Sequence, residues 1–174
     1  MDAYMIVFRI IHIGSAILWA GSALFFYAFV GPTVENTLGS EAGKFFNYLV
    51  RQRKAVIFYV AVSTLTIVAG AFLYWRDSAG LDFGWMQTGP GIGFTVGAIA
   101  GIISWVLVLL VLAPTSYRLV ALGGRIAAAG VPPSQEQVTG LQALQRRLKS
   151  YSLLNLVFLG IATISMATAR YLNF

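Results

Sequence analysis

Four residues near the start of the chain carry most of the chemistry it can do: Met5, Arg9, His12 and Trp19. They step by four, three and seven, so at about 3.6 residues per turn they share one helix face. His12 is the single histidine, and with Arg9 it sits in RIIHIGSAILWAGSALFF, a stretch otherwise almost wholly apolar. An arginine inside a membrane span costs roughly 2.5–3.5 kcal/mol on insertion scales. Arg9 lowers that cost by reaching outward. His12 lies deeper, about 12 Å along the helix from Tyr4 at about 1.5 Å per residue. A histidine there must be hydrogen-bonded or coordinate something. Three chemistries fit. His12 bonds a neighbouring helix and fixes packing. Its imidazole is an axial ligand to haem iron, with Arg9 on a propionate. Or it joins the thioethers of Met5 and Met166 around copper, since soft sulfur suits Cu(I).

These residues need a frame, and composition supplies it. The chain has 174 residues, 58% hydrophobic and 10% charged, with mean hydropathy +0.77. A soluble domain carries about 25% charged residues, so the solvent here is lipid. With no cysteine, disulfides and thiolate metal sites are excluded. The net charge of +6 does not point to nucleic acid, because the basic residues flank apolar runs at headgroup level. The first apolar run, about 25 residues with no basic stretch ahead of it, reads as a span rather than a secretory signal.

A span needs roughly 20 apolar residues, and four stretches qualify: about 4–30, 55–75, 92–117 and 151–172. In lipid such segments are helices, each satisfying its own backbone. The expectation is one all-α domain over 1–174, an integral membrane four-helix bundle. Gly31-Pro32 is expected to stop helix 1. Helix 2 is expected to begin early, from Ser40-Glu41 through GKFFNYLVRQRK. Ser134 and Gln137 form a capping-box pattern that starts helix 4 near Gln135. Helices 2 and 4 therefore extend into the cytoplasm. Lys44, Arg51, Arg53 and Lys54 lie between helices 1 and 2, and Arg118, Arg125, Arg146, Arg147 and Lys149 around the connection of helices 3 and 4. The loop between helices 2 and 3 has Arg76 with Asp77 and Asp82. By the positive-inside rule both termini are non-cytoplasmic, in what reads as a bacterial inner membrane. Tyr4, Trp75, Trp85 and Tyr171 are placed near the outer headgroups.

Gly93, Gly97 and Gly101 repeat every four residues and make a smooth stripe on helix 3. It serves packing inside the bundle, or a planar cofactor, another membrane subunit or a second copy. Asn155 is expected to bond across helices, whereas Ser63, Thr64 and Thr66 are expected to bond back to their own helix. Trp105 is packing or the border of a planar ligand. Arg170 is an interface anchor, or joins Arg9 and Arg76 in an outer cluster for propionates or headgroups. All six acids fall at ends or in loops, which ranks a proton-coupled transporter low. No nucleophile triad or acid–base pair is present. GPGIG at 89–93 lacks the lysine and length of a phosphate loop.

The segment RIIHIGSAILWAGSALFFYAFVGPTV resembles helix 1 of the copper-resistance-D-like family of small bacterial membrane proteins. The shared features are His12, Trp19 seven residues on, the small residues Ala20-Gly21-Ser22, an apolar run and Pro32. RQRKAVIFYVAVSTLTIVAGAFLYW, with Gly70 late in the helix, resembles its second helix, and NLVFLGIATISMATARYL the last helix of related proteins. The histidine–tryptophan spacing is also similar to membrane protoporphyrinogen oxidase of the HemJ type, where the histidine is implicated in haem b binding. That family's further histidine has no counterpart in FFYAFVGPTVEN, so the oxidase activity does not carry over. The resemblance implies haem b at His12; with the reading of the residues it sets Arg9, Trp19 and Arg170 around it, and Met166, Met5, water or nothing as second axial ligand. The function expected is electron transfer or redox chemistry, with a non-catalytic accessory subunit and copper handling through Met5, His12 and Met166 as alternatives.

Overall fold

The computed structural model describes residues 3–173, and among them there is helix and no strand. Helix α1 runs Ala3–Thr37, α3 Ala55–Asp77, α5 Gly89–Ala129 and α6 Gln135–Tyr171, each long and apolar enough to cross a membrane. Two short helices complete the set: α2, Ala42–Asn47, and α4, Phe83–Met86. The spans form two helical hairpins, α1 on α3 and α5 on α6, and α3 packs on α5 to join them. With four crossings, the two ends of the chain lie on the same face of the bundle.

Three expected boundaries move. Helix 1 does not stop at Gly31-Pro32 but continues to Thr37. A π-helical turn, Phe26–Val30, precedes the proline, and Gly31 N–H reaches back to the Phe26 carbonyl. A second one, Val108–Leu112, precedes Pro114, where Ala113 N–H reaches Val108. A proline ring clashes with the carbonyl four residues back; the widened turn moves that carbonyl aside and lets the helix go on. So α5 runs unbroken through Pro114. Helix 2, by contrast, does not extend back beyond Ala55. Its expected early start is the separate α2 with a π-turn at Tyr48–Gln52, and Lys54 in the left-handed region (φ 54°) breaks the chain before α3. Helix 3 starts at Gly89, its N-cap Thr88 accepting from Gly91 N–H.

The fourth helix starts where the capping box places it. Ser134 Oγ accepts from Gln137 N–H and the Gln137 side chain accepts from Ser134 N–H, which fixes the first turn at Gln135.

The surface is that of a lipid-facing bundle: Ile10, Ile13, Ile17, Phe29, Leu110 and Ile164 are all more than half exposed. The core is small. Trp19, Val62, Val108, Leu112 and Leu159 form its buried centre, with Tyr59, Trp105 and Tyr151 packed against it.

The glycine stripe is internal. A Cβ on Gly93 would lie 2.8 Å from Ala169 Cα, and one on Gly97 would lie 2.6 Å from Met166 Cγ. Gly101 faces Ile67 across α3. Those faces are covered by α6 and α3 of the same chain, so the stripe is not the docking surface for a second subunit, copy or planar cofactor that its spacing also allowed. The reason is packing: small residues let helix backbones meet closely, and α5 and α6 already do.

Candidate functional site: His12 and the seam between α1 and α3

The face shared by Arg9, His12 and Trp19 lies against α3. At the end of this seam nearer the chain termini, Phe8 meets Phe72 with ring centroids 4.9 Å apart, and Arg9 pairs with Asp77 at 3.9 Å, both about one-third exposed. One turn in, His12 Nδ1 lies 2.9 Å from the Thr66 carbonyl oxygen. A carbonyl only accepts, so Nδ1 carries the proton, and in the neutral ring the lone pair is on Nε2. Nε2 has no hydrogen-bond partner among the described residues. Another turn in, Thr66 Oγ1 lies 2.8 Å from Ser15 Oγ, and Ser15 Oγ donates to the Ile11 carbonyl at 2.6 Å. Thr66 thus ties both its hydroxyl and its carbonyl to α1, besides its own bond to Val62. Trp19 closes the seam, 1% exposed.

Gly70 makes this seam possible. A Cβ there would stand 2.8 Å from His12 Cε1 and 3.0 Å from Nδ1. Residue 70 must lack a side chain for the imidazole to lie flat on α3 and reach Thr66, one helical turn back. Ser15, Thr66 and Gly70 were not singled out as partners of His12 by sequence reasoning. Only the late glycine of helix 2 was a signal, and it carried no indication of what it faces.

A second polar cluster joins three helices in the bundle core. Asn155 is 1% exposed; its Oδ1 accepts from Ser104 Oγ at 2.7 Å and its Nδ2 donates to Tyr59 Oη at 3.0 Å. The cross-helix role expected of Asn155 holds. Thr64 does not simply bond back to its helix: Trp105 Nε1–H donates to its hydroxyl at 3.0 Å. Trp105 is thus a packing residue tied to α3. The Trp19 indole N–H neighbours Tyr59 without an acceptor in hydrogen-bond geometry.

The remaining expected site residues are placed elsewhere. Met166 lies against Gly97. Gly101 meets Ile67 and Tyr74 meets Thr95, so Gly97 is level with Gly70. Met166 is therefore at the depth of His12, but in the α5–α6 interface. Met5 is seven residues from His12, about 10.5 Å along the axis, and both side chains lean toward the N-terminus. No group of three or more His, Asp or Glu that could hold a metal occurs among the described residues. Arg170 is exposed at the same end of the bundle as Arg9, beside Asp77, Trp85, Pro90 and Phe94. Tyr4, Trp75 and Tyr171 are exposed at that end as aromatic-belt residues would be, whereas Trp85 is folded inward, edge-on to Tyr74 and stacked on Phe94. No protein-family profile, curated protein or solved structure matches the chain.

The donor set can be tested against a haem. An imidazole that binds metal through one nitrogen usually donates its other N–H to a carbonyl or carboxylate, which fixes the ring and raises ligand basicity. His12 has that arrangement through Thr66. Arg9, the cation expected at a propionate, is paired with Asp77 at 3.9 Å.

Proposed function

We propose that this chain is a small haem-b-binding protein of the bacterial inner membrane, holding the cofactor through His12 Nε2 and serving electron transfer within a larger assembly. The observation that carries the reading is the Nδ1–H bond from His12 to the Thr66 carbonyl, which leaves the free lone pair on Nε2. Haem b, when bound, supplies reversible one-electron chemistry. The chain's own residues orient the ligand: Gly70 gives the ring its bed, Thr66 fixes its tautomer, and Arg9 keeps a cation one turn nearer the surface. Orientation in the membrane follows from charge: nine of twelve Lys and Arg cluster at the face opposite the termini, which favours non-cytoplasmic termini.

Two measurements test this. Pyridine haemochrome assay of the detergent-purified protein is expected to give about one haem b per chain or per assembly, and none after His12→Ala. Cysteines placed singly at Gln87 and Ser150, in a chain that has none of its own, are expected to be labelled from opposite sides, Gln87 from outside. Labelling of Ser150→Cys from outside overturns the topology.

A second reading, a non-catalytic accessory subunit, is favoured by α1. Only 11% of its most apolar window is buried inside the chain, and Ile10, Ile13 and Ile17 form an open ridge. This reading needs no cofactor, and purification as a fully stable, haem-free monomer counts against both readings.

A further inference from the structure

At the outer end of the bundle a cavity of about 200 Å³ is lined by Asp77, Trp85, Pro90, Phe94 and Arg170. We propose that it is a binding site for a small zwitterion that joins an ammonium group to a phosphate, the chemistry of a phosphoethanolamine headgroup.

Three observations point there. The first is charge. Arg170 has no hydrogen bond or ion pair among the described residues, so its five donors are open to a phosphate, which a guanidinium binds in bidentate fashion. Asp77 is engaged at one oxygen by Arg9, and loosely, at 3.9 Å. Its carboxylate can accept further hydrogen bonds, which a primary ammonium donates and a quaternary ammonium cannot. One cavity thus presents a free cation and an under-used anion. A plain anion is repelled by Asp77 and a plain cation by Arg170; a molecule carrying both charges satisfies each.

The second is the aromatic wall. Trp85 and Phe94 lie nearly parallel, 8° apart with centroids 6.4 Å apart. Ring faces attract an ammonium within about 6 Å, most strongly for Trp. Both line the same cavity as Asp77, so the cationic end of the ligand meets a carboxylate beside aromatic rings.

The third is that the wall is built before any ligand arrives. Trp85 is held edge-on by Tyr74 at 5.5 Å, and Tyr74 is bonded to Thr95 at 2.5 Å. The Trp85 backbone N–H donates to the Asp82 carboxylate at 2.7 Å. Gly91 and Gly89 lock the loop down: a Cβ on Gly91 would stand 2.0 Å from the Trp85 carbonyl oxygen, and one on Gly89 2.0 Å from that of Leu172. The GPGIG run therefore serves a close backbone approach that seats the loop over the ends of α3 and α6. A preorganised wall spends little binding energy on ordering. The site is at headgroup level, at the ends of α3 and α6 and the start of α5.

The same chemistry comes from phosphatidylethanolamine in the outer leaflet or from free O-phosphoethanolamine. The test uses purified, delipidated protein. Native mass spectrometry scores retained phosphatidylethanolamine against phosphatidylglycerol and phosphatidylcholine, and calorimetry scores free O-phosphoethanolamine. The expected result is a preference for phosphatidylethanolamine of at least 10-fold over both lipids, lost in Arg170→Gln and in Trp85→Leu. Binding of the lipid alone assigns the leaflet as source; binding of the free molecule as well assigns a soluble zwitterion. Arg170 is exposed and has no partner among the described residues, so Arg170→Gln should fold normally, checked by its melting temperature. Equal retention of all three lipids, no binding of either form, or a preference unchanged in Arg170→Gln overturns the proposal.

Discussion

Gly70→Ala is the sharpest probe of the α1–α3 seam. The new methyl would stand 2.8 Å from His12 Cε1 and 3.0 Å from Nδ1, closer than carbon atoms pack. The imidazole ring is rigid, and its Nδ1 is tethered to Thr66 at 2.9 Å, so it cannot swing away without losing that bond. An interhelical hydrogen bond in a membrane protein is worth about 0.6 kcal/mol on average and up to about 1.7. Overpacking costs about 1–3 kcal/mol. Against these, alanine is a better helix former than glycine by about 1 kcal/mol in water. The net expectation is a loss of about 1–2 kcal/mol. In the His12→Ala background the obstacle is gone and only the propensity gain remains, so Gly70→Ala should be neutral or stabilising by up to about 1 kcal/mol. The coupling between the two positions is then roughly 2 kcal/mol, well above the scatter of distant pairs. Reversible unfolding of the four proteins of this cycle in mixed micelles measures it. If Gly70→Ala costs the same with and without His12, the imidazole does not lie on Gly70, and the geometry argued for Nε2 goes with it.

Three further outcomes follow from packing and caps. Gly93→Ala should destabilise more than Gly97→Ala. The first meets Ala169 Cα and Cβ at 2.8 Å, while the second meets chiefly the Met166 side chain, at 2.6 Å from Cγ, which can change rotamer as backbone cannot; unfolding midpoints of the two variants order them. Asn155→Ala should cost about 1–2 kcal/mol, since it removes bonds to Ser104 and Tyr59 in the core, and Ser104→Ala should add little in that background. Ser134→Ala should cost about 1 kcal/mol, seen as faster amide exchange over residues 135–138 with the membrane spans unchanged.

Much of the fold was legible because a bilayer leaves few choices. Long apolar runs without alternation must be helices, and the Ser134–Gln137 pattern placed the start of α6 to the residue. The boundaries that moved depend on backbone detail. Pro32 is a strong stop signal, yet a π-turn ahead of it lets the helix go on, and nothing in residue type announces a π-turn; the continuation of the third span past Pro114 through SYRLVALGGRI, by contrast, was legible in the sequence. The break at Lys54 is a left-handed residue that is not glycine, which composition does not betray. The site was half legible. Helical spacing put Arg9, His12 and Trp19 on one face, and they do line one seam. What they meet was not readable, because Thr66, Gly70 and Asp77 are over fifty residues away and ordinary in type. The glycine stripe shows the converse: its spacing said close packing, and only the folded chain shows that α6 is the partner.

The most direct test of the central claim is a reduced-minus-oxidised absorption spectrum of the purified wild type beside His12→Ala. The account predicts a b-type haem difference spectrum in the wild type that His12→Ala lacks at unchanged yield and monodispersity. A wild type without a Soret band after expression with ample haem, or an identical spectrum in His12→Ala, contradicts it and leaves His12 as the residue that pins α1 to α3.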